Sequence, residues 1–179
     1  SAPGSLYGTY VQQIAPAELL DRTAELDELA EFATGGPAAH GYLWWQAPAW
    51  AGKSALMSWF ALNPPPKVDV VSFFVTARFA AHNDRWAFLE AVSDQLAVLG
   101  GTGLPRPSRE LWEAHLDRLL EAAVASCLRR GRRLVLLVDG LDEDQGVSAG
   151  SGPYSMAAPL PRRPPRAGLF KPLTPPTIY

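Results

Sequence analysis

Cysteine is nearly absent from this 179-residue chain: Cys127 stands alone. A single cysteine excludes an internal disulfide and fits a reducing compartment, so a cytoplasmic location is expected. Histidine is almost as scarce. His40, His82 and His115 are scattered and show no metal-ligand spacing, which argues against a zinc-type centre. No apolar run approaches the ~20 residues of a membrane span, so no membrane partner is expected. The opening Ser-Ala-Pro-Gly-Ser lacks the charged and apolar regions of a signal peptide. It also lacks an initiator methionine, as expected for a piece of a longer chain. Excess charge is missing too: the net charge is −2, so no nucleic-acid partner is expected. Apolar residues are plentiful, at 47%. That is a globular composition, in a chain long enough for one domain with a core.

The most informative stretch is Ala47-Pro48-Ala49-Trp50-Ala51-Gly52-Lys53-Ser54. It follows an apolar run, Gly41-Tyr42-Leu43-Trp44-Trp45, that reads as a buried strand. It precedes Ala55-Leu56-Met57-Ser58-Trp59-Phe60, which reads as the start of a helix. Strand, tight loop, Gly-Lys-Ser and helix is the layout of a phosphate-binding P-loop. The first turn of a helix offers N–H groups and the positive end of its dipole to an anion. Gly52 lets the backbone approach a phosphate, Lys53 reaches the terminal phosphates, and the Ser54 hydroxyl takes one position on Mg²⁺. The pattern asks for glycine at the first position, where this chain has Ala47. Alanine there is strained if the position needs positive φ and harmless if it does not.

Upstream, residues 1–16 contain Gly and Pro without a clear period and read as irregular. Leu26, Leu29 and Ala33 then repeat at helical spacing. Asp21 or Thr23 can cap that helix, and Gly35-Gly36-Pro37 ends it. After the P-loop helix, Asn63-Pro64-Pro65-Pro66 is a stop. Residues 68–75, rich in β-branched and aromatic side chains, read as a second buried strand. Asn83 or Asp84 can start a helix carrying Leu89, Val92, Leu96 and Leu99, which the glycines at 100, 101 and 103 end. A further helix opens near Ser108 with an apolar stripe of Trp112, Leu116, Leu119, Ala123 and Cys127, which reads as core. Arg129, Arg130, Arg132 and Arg133 suit the solvated C-terminal end of that helix.

Leu134-Val135-Leu136-Leu137-Val138 then runs into Asp139-Gly140-Leu141-Asp142-Glu143. An all-apolar run of this length reads as a strand buried on both faces. An acid at its C-terminal end sits where open α/β sheets place their ligands. This is the Walker B layout. Asp139 is expected to hold Mg²⁺ through water, and Asp142 and Glu143 to polarise an attacking water. Residues 153–179 are dense in proline, which defeats both helix and central strand.

The segment from Asp21 to Glu143 resembles the NACHT group of STAND P-loop NTPases, in the form found in large bacterial signalling proteins. The residues that carry the resemblance are Asp139-Gly140-Leu141-Asp142-Glu143, Phe73-Phe74-Val75-Thr76-Ala77-Arg78, and Asn83-Asp84-Arg85 before a helix. Asp21-Arg22 with Glu25-Leu26 is similar to the family's opening motif, which implies that Asp21 and Arg22 flank the base. The resemblance implies a strand after Walker B, inserted between the two motif strands and carrying a polar sensor. The matching region here, 153–179, has only Leu169-Phe170-Lys171-Pro172-Leu173 to offer, interrupted by Pro172, and no sensor triplet. A truncated or frame-shifted gene, or a cut fragment, is therefore expected.

The expected fold is α/β: an incomplete P-loop NTPase three-layer sandwich with parallel strands and an irregular Pro-rich C-terminal tail. The expected organisation is an irregular segment 1–16, a partial NACHT-like domain 17–146 and a tail 147–179. The expected function is that of a Mg²⁺-dependent ATP switch serving other domains of a larger signalling protein, with weak or no hydrolysis by this chain alone. GTP in place of ATP stays open. So do two other readings, a non-catalytic remnant or interaction module and a small-molecule P-loop kinase.

Overall fold

The computed structural model describes residues 6–35, 43, 52–75 and 85–140. The expected strand at 41–45 (Leu43 apart), the loop 47–51, the helix-start residues Asn83 and Asp84, and everything after Gly140 lie outside the described residues. The elements run α1 (Leu6–Ile14), α2 (Thr23–Thr34), α3 (Lys53–Leu62), β1 (Val68–Phe74), α4 (Arg85–Gly100), a 3-10 turn at Arg109–Leu111, α5 (Trp112–Arg129) and β2 (Arg133–Asp139).

β1 and β2 pair in parallel, with Val68 opposite Arg133 and Phe74 opposite Asp139. A parallel pair needs a long crossover, here α4 and α5. Side chains alternate across the sheet. Val71 and Phe73 enter one cluster with Phe88, Leu89, Val92, Leu96, Leu99 and the α5 stripe Trp112, Leu116, Leu119 and Ala123. Val68, Val70, Phe74 and Leu137 enter another with Val11, Leu29, Ala33, Leu56 and Phe60. Helices α4 and α5 thus cover one face, and α1, α2 and α3 the other. Leu43, from the run expected to form a strand, packs against this second cluster.

Three local expectations differ from what is observed. Residues 6–14, expected to be irregular, form α1, whose Val11 is fully buried. Gly8 and Thr9 are poor helix formers, so this helix rests on the packing of Tyr7, Tyr10 and Val11 rather than on propensity. The N-cap of α2 is Arg22, and no side chain caps that helix. Finally, β2 is half-buried along most of its length, where burial on both faces was expected. The edges of the sheet explain the last difference. On the outer edge of β1, the buried Gln95 amide accepts from Ser72 N–H at 3.1 Å and donates to Ser72 C=O at 2.9 Å. Phe74 N–H on that edge donates to the Tyr7 hydroxyl at 2.7 Å. Leu134, Leu136 and Val138 turn their backbone groups to the outer edge of β2, and among the described residues no strand pairs there.

Candidate functional site

The chain leaves β2 at Asp139, and its pairing with Phe74 puts the carboxylate on the α1–α3 face, at the C-terminal end of the sheet. Helix α3 begins at the same place. Gly52 caps it in the left-handed conformation, φ 79°, without a side-chain capping bond. A glycine takes that conformation at little cost, and the turn projects Lys53 and Ser54 toward β2. The Ser54 hydroxyl donates to Asp139 Oδ2 at 2.5 Å, across 85 residues of sequence. Lys53 Nζ lies 3.7 Å from Asp139 Oδ1. The Asp139 side chain is only 4% exposed. A carboxylate that buried persists because a cation and a hydroxyl face it.

Gly140 explains why the chain can turn away after this acid. Its φ is 81°, and a Cβ there would stand 2.7 Å from the Val75 carbonyl oxygen. Any larger residue would push the Asp139 backbone away from β1, to which Val75 N–H ties it at 2.9 Å.

Of the residues expected in the site, the structure brings together Gly52, Lys53, Ser54 and Asp139. Arg22 joins them from the residue before α2: among the described residues, its Nη2 comes within 3.6 Å of where a Cβ on Gly52 would sit. Its Nη1 donates to Glu25 Oε1 at 2.7 Å. Asp21 is exposed and takes a positive φ of 54°, turning the chain into α2. Ala47, Pro48, Ala49, Trp50 and Ala51 lie outside the described residues, as do Asp142 and Glu143.

Sequence reasoning missed Tyr7, whose hydroxyl meets Phe74 beside the end of β1. Burial pushes its phenol above the ordinary range, outweighing the Phe74 N–H, and the Asp139 charge adds to the rise. A tyrosine in a short stretch with Gly4, Gly8 and Thr9 around it carries no sequence signal of such a role.

The donor chemistry suits Mg²⁺. Ser54 and Asp139 offer hard oxygens 2.5 Å apart, a pair that would suit an ion held by the Ser54 hydroxyl and, through water, by Asp139. The described residues hold no cluster of three or more His, Cys, Asp or Glu side chains, so a softer or fully protein-caged ion finds no home among them. Mg²⁺ needs no such cage, since it keeps waters and phosphate oxygens. No described helix is long and apolar enough to cross a membrane. Comparison with protein-family models, with curated proteins and with solved structures found no match to this chain.

Proposed function

We propose that this chain is a nucleotide-binding domain of the P-loop class, taking Mg²⁺-ATP as the switch element of a larger signalling protein of NACHT type. The observation that carries the reading is the convergence of Lys53, Ser54 and Asp139 at one end of a parallel sheet, beside the start of α3. Those three residue types in that arrangement bind a phosphate chain with its metal.

Lys53 and Ser54 both face Asp139. Nucleotide entry would draw the Lys53 ammonium from Asp139 to the terminal phosphates. Ser54 and Asp139 would then turn their oxygens to Mg²⁺, which supplies charge neutralisation for the triphosphate. The α3 dipole favours the same anion. Asp142 and Glu143 are the residues to which water activation is assigned, and turnover by this chain alone is expected to be weak or absent.

The test is ATP titration of the wild type, Lys53→Ala and Asp139→Ala. The expected loss in each variant is on the order of 100-fold, about 2.7 kcal/mol; equal affinity in all three proteins overturns the reading. The half-buried β2, with its outer edge unpaired among the described residues, favours a second reading as a non-catalytic interaction module. Sustained phosphate release that Asp142→Asn abolishes would count against that module.

A further inference from the structure

The family resemblance puts Arg22 beside the base of the nucleotide. Its position in the structure argues for the other end of the ligand. Asp21 turns the chain in a left-handed conformation and Arg22 follows as the residue immediately before α2. From there the side chain reaches the start of α3, where Nη2 stands against Gly52. Gly52 adjoins Lys53 and Ser54, the residues assigned to the phosphates and the metal. Glu25, one turn along α2, takes Nη1 and so fixes the direction of the guanidinium plane.

We infer that Arg22 is a second phosphate-binding cation, standing beside Lys53 and aimed by Glu25, rather than a residue that flanks the base. This rests on the nucleotide reading above and sharpens it. The chemistry is specific to arginine. Its planar fork can keep one arm on a carboxylate while the other meets a phosphate oxygen, and it stays charged at any working pH. Lysine is a point charge and cannot divide itself in this way. Glu25 has a second role in the same arrangement. It balances one of two neighbouring cations, Arg22 and Lys53, as Asp139 balances the other.

The consequence is a selectivity pattern. A residue on the phosphates contributes equally to every ligand that carries them, whatever the base. A residue on the base contributes to the choice between bases and nothing to a ligand that lacks one. The experiment is displacement of a fluorescent ATP analogue from the full chain by ATP, GTP and inorganic tripolyphosphate, each with Mg²⁺, for wild type and Arg22→Gln.

The expected result is a common loss of about 10-fold for all three ligands in Arg22→Gln, the size of one charge-assisted contact, with the ATP-to-GTP ratio unchanged. Arg22→Lys is expected to recover part of that loss for all three alike. It also reads the same split if Arg22→Gln does not fold. An unchanged tripolyphosphate curve, or an altered ATP-to-GTP ratio, overturns the inference while leaving the nucleotide reading standing. Failure of the wild type to bind the ATP analogue overturns both.

Discussion

Each strand of the small sheet carries one aspartate, and the two live at opposite ends under different guard. Asp69, near the start of β1, is clamped by arginines. Arg132 Nε donates to Oδ1 at 2.9 Å, Arg130 Nη2 lies 3.3 Å from Oδ2, and the Cys127 thiol donates to Oδ2 at 3.3 Å. Arg132 also donates to the Val68 carbonyl at 2.9 Å, tying the start of β2 to the start of β1. Asp139, at the end of β2, faces a lysine at 3.7 Å and a serine hydroxyl. Forked guanidinium contacts to one carboxylate and one carbonyl are geometrically committed. An ammonium is a mobile point charge, and a hydroxyl can reorient. The comparison teaches that a buried acid is not by itself a functional signal. On the proposed reading, what separates Asp139 from the structural Asp69 is how easily its partners can be exchanged, together with its place at the C-terminal ends of the strands.

Four experiments break or sharpen that contrast. The largest effect belongs to Asp139→Ala, which is expected to lose ATP affinity on the order of 100-fold while staying within about 1 kcal/mol of wild-type stability in urea unfolding. Asp69→Ala should do the reverse: ATP affinity is unchanged, and stability falls by about 2 kcal/mol, because Arg130 and Arg132 lose their shared partner but can still reach water. A loss of binding in the second variant, or of folding in the first, would erase the distinction. Next comes a pair of glycines. Gly140→Ala should cost about 2 kcal/mol, from its positive φ and from the close Val75 carbonyl. Gly52→Ala should cost about 1 kcal/mol, from its positive φ, since among the described residues the contact a Cβ would meet is the movable end of Arg22. Thermal unfolding of both variants checks that order.

The smallest effect is in pH dependence and concerns the Asp69 end alone. Burial works against the Asp69 charge, but the bonds from Arg132 and Cys127 and the charges of Arg132 and Arg130 outweigh it, so the carboxyl sits below its ordinary value. Its contribution to stability is therefore complete above the unfolded-state pKa of about 3.9 and disappears as pH falls through the lower folded-state value. Asp69→Asn should flatten that acid limb. Burial first, and Asp69 second, push the Cys127 thiol up to about 11 from 9.0. Its contribution is present below 9.0 and declines as pH rises toward about 11. Cys127→Ala should remove this alkaline limb from a plot of unfolding free energy against pH.

Much of the fold was legible in the chain. The stripe Trp112, Leu116, Leu119, Ala123 and Cys127 is the buried face of α5, and Leu89, Val92, Leu96 and Leu99 are buried in α4. Both helices follow from apolar spacing, which local sequence records directly. The strands at Val68–Phe74 and Arg133–Asp139 were equally plain. Helix α1 was not, because weak helix formers surround Tyr7 and Val11, and their burial depends on a strand far along the chain. Gln95 was hidden for a related reason. On a helical wheel it is one more polar residue, yet its amide takes both backbone groups of Ser72. In the site, Lys53, Ser54 and Asp139 could be named from motif order. The position of Arg22 could not, since the turn before α2 brings it to Gly52 by packing.

Sequence alone determined most of the described helices and strands, α1 excepted, and brought Lys53, Ser54 and Asp139 forward as candidates for a phosphate site, because spacing and side-chain type are local properties. Only the tertiary structure decided that Asp139 meets Lys53 and Ser54 while Asp69 meets Arg130 and Arg132. It also decided that one edge of the sheet is covered by Gln95 and Tyr7. Those pairings depend on strand register and on helices packed across long loops, and the physics that selects them is the burial of two apolar faces at once.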